Sequence, residues 1–155
     1  MSRHKCECGL LLVAGVGPID SSILVLRDYP DFDDQKSGTH LTGPTAEVLR
    51  KEFSKAGMSL NSCYVTSLYP HIYSENCSVD YVDKVGNLLK NKKKVLLMGS
   101  GVVEPLFSEK AITLCGVWQK HAAFPGVRFM PCISPGTVLK EDLGELKLAL
   151  SRFSE

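Results

Sequence analysis

Gly99-Ser100-Gly101 follows an apolar run and precedes a helical pattern, so its backbone N–H groups could hold an anion. The third glycine of a dinucleotide-binding fingerprint would fall at Glu104, so the turn is not that fingerprint. Gly43-Pro44 and Ser134-Pro135-Gly136 are two more small-residue loops where N–H groups could grip phosphates. Asp28 stands one residue beyond another apolar run, after Arg27, and its plain reading is a loop carboxylate that caps a turn. There is no Gly-Lys-Ser/Thr phosphate loop and no Gly-x-Ser-x-Gly nucleophile elbow. His4, His40, His71 and His121 are scattered and make no paired-histidine zinc motif. Lys90, Lys92, Lys93 and Lys94 form a basic run ahead of a strand, away from these loops, and read as a solvated turn.

These loops need elements to position them, and the chain alternates strand and helix. Ile23-Leu24-Val25-Leu26, Cys63-Tyr64-Val65-Thr66, Val95-Leu96-Leu97-Met98 and Val127-Arg128-Phe129-Met130 read as short, mostly apolar strands. Gly43-Pro44 opens a helix with Val48, Leu49, Phe53 and Ala56 on one face, and Gly57 ends it. Val79, Val82, Val85, Leu88 and Leu89 keep helical spacing, and Val102, Val103, Leu106 and Phe107 suggest a short helix. A last helix runs from about Lys140 to Phe153, and the stretch from Asp28 to Thr42 reads as a loop. Apolar strands separated by helices imply an α/β fold with a parallel sheet covered on both faces. Ligands of such sheets bind beyond the carboxyl ends of the strands. That directs attention to Arg27 to Thr42, Ser67 to Cys77, Gly99 to Gly101 and Cys132 to Val138.

The 155 residues suffice for one domain, with 44% hydrophobic and 23% charged residues, a composition that excludes a wholly disordered chain. A net charge of +1 excludes a global basic field, so any nucleic-acid binding needs a local patch. No apolar stretch approaches the ~20 residues of a membrane span. Arg3, Lys5 and the run from Leu10 to Ala14 faintly imitate a secretory signal, but Cys6-Glu7-Cys8 interrupts it. The expected setting is therefore a reduced cytoplasmic or nucleoid-associated one. A core of this size does not need its six cysteines as disulfides. Cys63, Cys115 and Cys132 read as core residues.

Taken in order, the strand-end loops carry Arg27-Asp28-Tyr29-Pro30-Asp31, then Asp33-Asp34, then Gly38-Thr39-His40-Leu41-Thr42-Gly43-Pro44. Thr66-Ser67, Met98-Gly99, Cys115-Gly116-Val117-Trp118 and Ser134-Pro135-Gly136 follow. In this set and spacing the chain resembles the uracil-DNA glycosylase superfamily, most closely its iron–sulfur branch, over nearly its whole length. The resemblance implies one domain, residues 1–155, with a three-layer α/β/α fold around a four-stranded parallel sheet.

The same resemblance implies roles, and departures from them. Asp28 stands where a Glu activates water, and it can still act as a base. Leu41 stands where a Phe stacks the extruded base, so the aromatic face is lost. Ser67 replaces the Asn that reads the uracil edge, exchanging a rigid amide for one hydroxyl. Ser134 replaces the His that stabilises the leaving base, and serine cannot carry an imidazolium's charge. Tyr29 could stack a base or pack within its loop, and Arg27, in place of a Gly, could crowd the approach to a base or bind phosphate beside Gly43, Gly99, Ser100, Gly101, Pro135 and Gly136.

The branch's four cluster cysteines would map to Cys6, Cys8, His71 and a position near Val79, two residues from Cys77. Such a set could hold a 4Fe-4S cluster or zinc, since histidine can replace a thiolate. Cys6-Glu7-Cys8 is one residue tighter than the branch's pair. The plain alternative leaves Cys6 and Cys8 as loose thiols and Cys77 packed.

The resulting expectation is a DNA-binding protein of glycosylase fold, active in repair or replication beside a protein partner, with ordinary uracil excision lost or altered. An active DNA glycosylase using Asp28, and a small-molecule nucleotide binder using Gly99-Ser100-Gly101, are the alternatives.

Overall fold

The computed structural model describes residues 3–134 and 143–155. Strands β1 (Ile23–Arg27), β2 (Tyr64–Ser67), β3 (Lys94–Met98), β4 (Gln119–His121) and β5 (Phe124–Cys132) form one sheet in the order β2-β1-β3-β5-β4. β2, β1, β3 and β5 run parallel at the places the apolar runs indicate, and β4 is antiparallel to β5. The expected sheet of four strands therefore has a fifth. β4 is a polar tripeptide without an apolar run, and it pairs because the chain turns back through Ala122-Ala123 onto an extended β5.

The helices are α1 (Phe32–Ser37), α2 (Pro44–Lys55), α3 (Val85–Leu89), α4 (Ser100–Phe107), α5 (Ala111–Leu114) and α6 (Gly144–Phe153). Alternation along the strands divides the core in two. Val25, Val65, Leu96, Met98 and Met130 face α2 and α6, meeting Leu49, Phe53, Leu146, Leu150 and Phe153. Leu24, Leu26, Val95, Leu97 and Phe129 face α3 and α4, meeting Val85, Leu89, Val102 and Val103. Right-handed crossovers require this division: the step from β1 to β2 runs opposite to the steps from β2 to β3 and from β3 to β5, so their helices lie on opposite faces.

Two expectations change. The Asp28–Thr42 stretch contains α1, because the Asp34 carboxylate accepts the Asp31 N–H at its start (3.0 Å) and Gly38, at φ 94°, ends it. The helix expected from Val79 is shorter: Asp80 caps a 3-10 turn at Val82–Lys84, and α3 follows.

The amino-terminal segment passes along the β2 side of the sheet. Its Lys5 and Leu11 form an antiparallel bridge, and Val16 pairs with Val65 on the outer edge of β2. Among the described residues, no helix is long and apolar enough to cross a membrane.

Candidate functional site

The parallel register sets Arg27 level with Ser67 and Met98, and Met98 level with Cys132, so the strand-end loops share one edge. Chain order reverses about β1, with β2 on one side and β3 on the other, and ligands of such sheets bind at this kind of switch point. Asp28 is the first residue past β1, and Gly99 is the first past β3. The Asp28 N–H donates to the Met98 carbonyl at 3.1 Å. The Asp28 carboxylate accepts the N–H groups of Tyr29 (2.8 Å) and Gly101 (3.3 Å).

Both glycines make room for this carboxylate. Gly99 has φ 107°, and a Cβ there would overlap the Asp28 carboxyl group. A Cβ on Gly101 would come within 2.8 Å of the Asp28 Cβ. The positive end of α4 is thus occupied by the chain's own anion. Burial raises the Asp28 carboxyl above its ordinary pKa, against the pull of the Tyr29 and Gly101 N–H groups and of Arg27. The Ser100 hydroxyl accepts the Ala111 N–H at 2.9 Å, tying α4 to α5.

A row of tyrosines lines the approach. Tyr29 stacks on Tyr69, with ring centroids 4.5 Å apart and planes 12° apart. Tyr73 meets Tyr29 edge-on at 6.2 Å and is 68% exposed. Tyr81 meets Tyr69 edge-on at 6.3 Å. The Tyr69 N–H donates to the Asp28 carbonyl at 3.0 Å, which fixes the stack beside the carboxylate.

Other candidates turn inward. Arg27, expected on phosphate, is 3% exposed and pairs with Asp31 (2.6 Å) and Asp34 (3.0 Å). Its place at the end of a buried strand forces that: a guanidinium there needs carboxylates within reach. Ser67 is buried, and its hydroxyl donates to the Tyr69 carbonyl at 2.7 Å. The His40 Nε2 lies 3.1 Å from the same hydroxyl, so Nε2–H is its donor. Asp34 stands 3.7 Å from the His40 Nδ1. The Ser67, His40 and Asp34 sequence superficially matches a nucleophilic triad, but the hydroxyl is committed to Tyr69 and the carboxylate to Arg27. Leu41 adopts φ 64° and packs on the α2 side of the core, lining a cavity of about 300 Å³ with Val16, His40 and Arg50.

The remaining phosphate candidates are placed as follows. Gly43 stands at the amino end of α2, where a Cβ would come within 2.7 Å of the Asp33 carboxylate. Ser134 is half-buried just past β5, while Pro135 and Gly136 lie outside the described residues. In the lysine run, Lys92 bonds the carbonyls of Ile19 and Ser21, and Lys94 bonds those of Phe153 and Glu155.

Cys6, Cys8, His71 and Cys77 do come together, and their ligand atoms all lie within 4.8 Å of one another. The Cys6 N–H donates to the Leu10 carbonyl (2.8 Å) and the Gly9 N–H to the Cys6 carbonyl (2.9 Å). Gly9, at φ 97°, permits this tight turn, which gathers two thiols only two residues apart. Cys6 Sγ is 3.7 Å from Cys77 Sγ, and Cys8 Sγ is 3.5 Å from His71 Nε2. His71 Nδ1 lies 2.7 Å from the Ile72 carbonyl, which assigns its proton to Nδ1 and leaves the Nε2 lone pair toward the thiols. The Tyr81 hydroxyl donates to Cys6 Sγ at 3.0 Å. Burial pushes the Cys6 thiol up, but the Cys8 N–H, Tyr81 and His71 outweigh it and bring it down to about 6. The arrangement is compatible with metal binding. Around it, the α1 side chain Gln35 accepts the Ile72 N–H (3.0 Å) and donates to the Leu11 carbonyl (2.8 Å), clamping the two segments.

Tyr69 and Tyr81 carry no signal in type and spacing, and Asp34 and His40 stand in the strand-end motifs without an assigned role. Only Asp31-x-x-Asp34 before a helix carries a local signal. No protein-family model matches the chain, and no curated protein matches it.

Proposed function

We propose that the chain is a DNA-binding protein of the glycosylase arrangement, with ordinary uracil excision lost or altered, that acts in repair or replication beside a protein partner. The observation that carries this reading is the half-buried Asp28 carboxylate at the switch point of the sheet, next to the stacked Tyr29–Tyr69 pair. An extruded base needs a flat surface and a group that activates water, and in this reading the tyrosine pair and Asp28 supply them. The site lacks what reads and releases uracil: the Ser67 hydroxyl is committed inside, Leu41 has no ring, and Ser134 has no imidazole. Mononucleotide binding at Gly99-Ser100-Gly101 is the weaker reading, because Asp28 already fills that anion position. A DNA glycosylase using Asp28 as base is the second reading. It is favoured by the raised pKa of that carboxyl, which makes it the stronger base. In either case Cys6, Cys8, His71 and Cys77 serve as a metal centre that fastens the amino-terminal turn to the loop after β2.

The test is single-turnover base release from single- and double-stranded DNA containing uracil, with protein in excess and a gel-shift assay alongside. The expected outcome is a shifted band without release. Release that falls by about 10²-fold or more in Asp28→Asn would establish the glycosylase instead. No shift and no release would sink both.

A further inference from the structure

We infer that Cys6, Cys8, His71 and Cys77 close around one tetrahedral metal ion of the zinc class, not around a four-iron cluster. This rests on reading the four residues as a metal centre, and it is independent of what Asp28 does. The argument is one of size. Zinc bonds thiolate sulfur at about 2.3 Å and imidazole nitrogen at about 2.0 Å, so tetrahedral ligand atoms stand about 3.5–3.8 Å apart. The Cys6–Cys77 separation is 3.7 Å and the Cys8–His71 separation is 3.5 Å. Ligands at the corners of a cubane stand roughly 6 Å apart, because iron and sulfide fill the space between them. All four ligand atoms here lie within 4.8 Å of one another, which leaves no volume for such a core.

The surroundings agree. Three sulfurs and one nitrogen are a donor set of structural zinc sites. The Ile72 carbonyl holds the Nδ1–H of His71, the orienting partner that a metal-bound imidazole commonly has. The Tyr81 hydroxyl, donating to Cys6 Sγ, offsets negative charge on a thiolate that an ion with three sulfur ligands would leave anionic. The Cys-x-Cys pair, too tight for the spacing of the cluster branch, suits a small ion because the Gly9 turn folds both thiols to one point.

The experiment is metal and acid-labile sulfide analysis of the full chain, purified without oxygen from cells supplied with iron and zinc, then passed over a chelating resin. One zinc per chain and no sulfide is the expected result. Iron and sulfide in cluster proportions would overturn the inference and keep the metal centre. Neither metal, together with no uptake of added Zn²⁺ or Co²⁺, would overturn both. Added Co²⁺ should give the thiolate charge-transfer band and intense ligand-field absorption of a tetrahedral site. His71→Cys should retain one zinc. Tyr81→Phe should fold and bind zinc about tenfold more weakly in a chelator competition, as expected on losing a partner of a ligand. Equal zinc affinity in Tyr81→Phe and wild type would remove the role given to that hydroxyl.

Discussion

The Asp34 carboxylate is closed off from water yet stays charged, because donors converge on it. Arg27 Nη1 and the Asp31 N–H approach to 3.0 Å, the Thr42 hydroxyl to 2.9 Å and the Thr42 N–H to 3.1 Å. Burial alone would raise its pKa, but these donors outweigh it and the carboxyl is lowered. His40 stands beside this group and goes the other way. Burial first, then the Arg27 charge, lower its imidazole to about 4 from 6.5, against the pull of Asp34 and Asp31. Between those two pH values the unfolded chain takes up a proton that the folded chain refuses. Stability from the neutral ring is therefore complete above about pH 6.5 and is lost as the pH falls toward 4. The loss is on the order of 3 kcal/mol at about 1.4 kcal/mol per unit. Urea unfolding from pH 7.5 down to ~4.5 should show a steeper acid decline in wild type than in His40→Gln; parallel curves would remove His40 as the cause. None of this was legible from residue type. Arg27 ends an apolar strand next to a polar loop, and sequence alone does not say whether such a cation faces a phosphate or its own carboxylates.

Between β1 and α4, one carboxylate depends on two glycines. Gly101 sits in the first turn of α4 with an ordinary φ, so its cost of substitution is steric: a Cβ there meets the Asp28 side chain. Gly101→Ala should destabilise by about 1–3 kcal/mol, the range for overpacking. With Asp28→Gly in the same chain, which removes the Cβ at 2.8 Å, most of that penalty should vanish, and a double-mutant cycle by urea denaturation measures the coupling. Additive losses would place the clash elsewhere. The elements themselves were largely legible. The apolar runs that became β1, β2, β3 and β5 are short and β-branched, and burial on both faces leaves no other use for them. β4 and α1 were not, because Gln119-Lys120-His121 and Phe32–Ser37 gain their structure from a neighbouring strand and from an end cap. The cysteine–histidine cluster was legible only through family spacing. The turn that brings Cys6 and Cys8 together depends on a hairpin bridging Lys5 and Leu11, whose residues show no strand pattern.

At the scale of the whole molecule, one edge of the sheet is short and the other carries a bridging segment. On the far side β4 is three residues long, with an exposed Lys120 at its centre, and β4 covers β5. On the near side the Val16 N–H donates to the Val65 carbonyl (2.9 Å) and the Val65 N–H to the Val16 carbonyl (2.8 Å). A free strand edge is a template for another chain, and short charged edges or covering segments suppress that pairing. The Val16 bridge therefore acts as a guard against self-association as well as a fastening for the amino-terminal segment. Val16→Pro deletes the donor and loosens the cover over β2. Sedimentation velocity should then report larger, concentration-dependent species than the wild-type chain gives at the same concentration, and equal profiles would remove this role from Val16. The segment that leads into the fold would in that case also be what keeps each molecule separate from its copies.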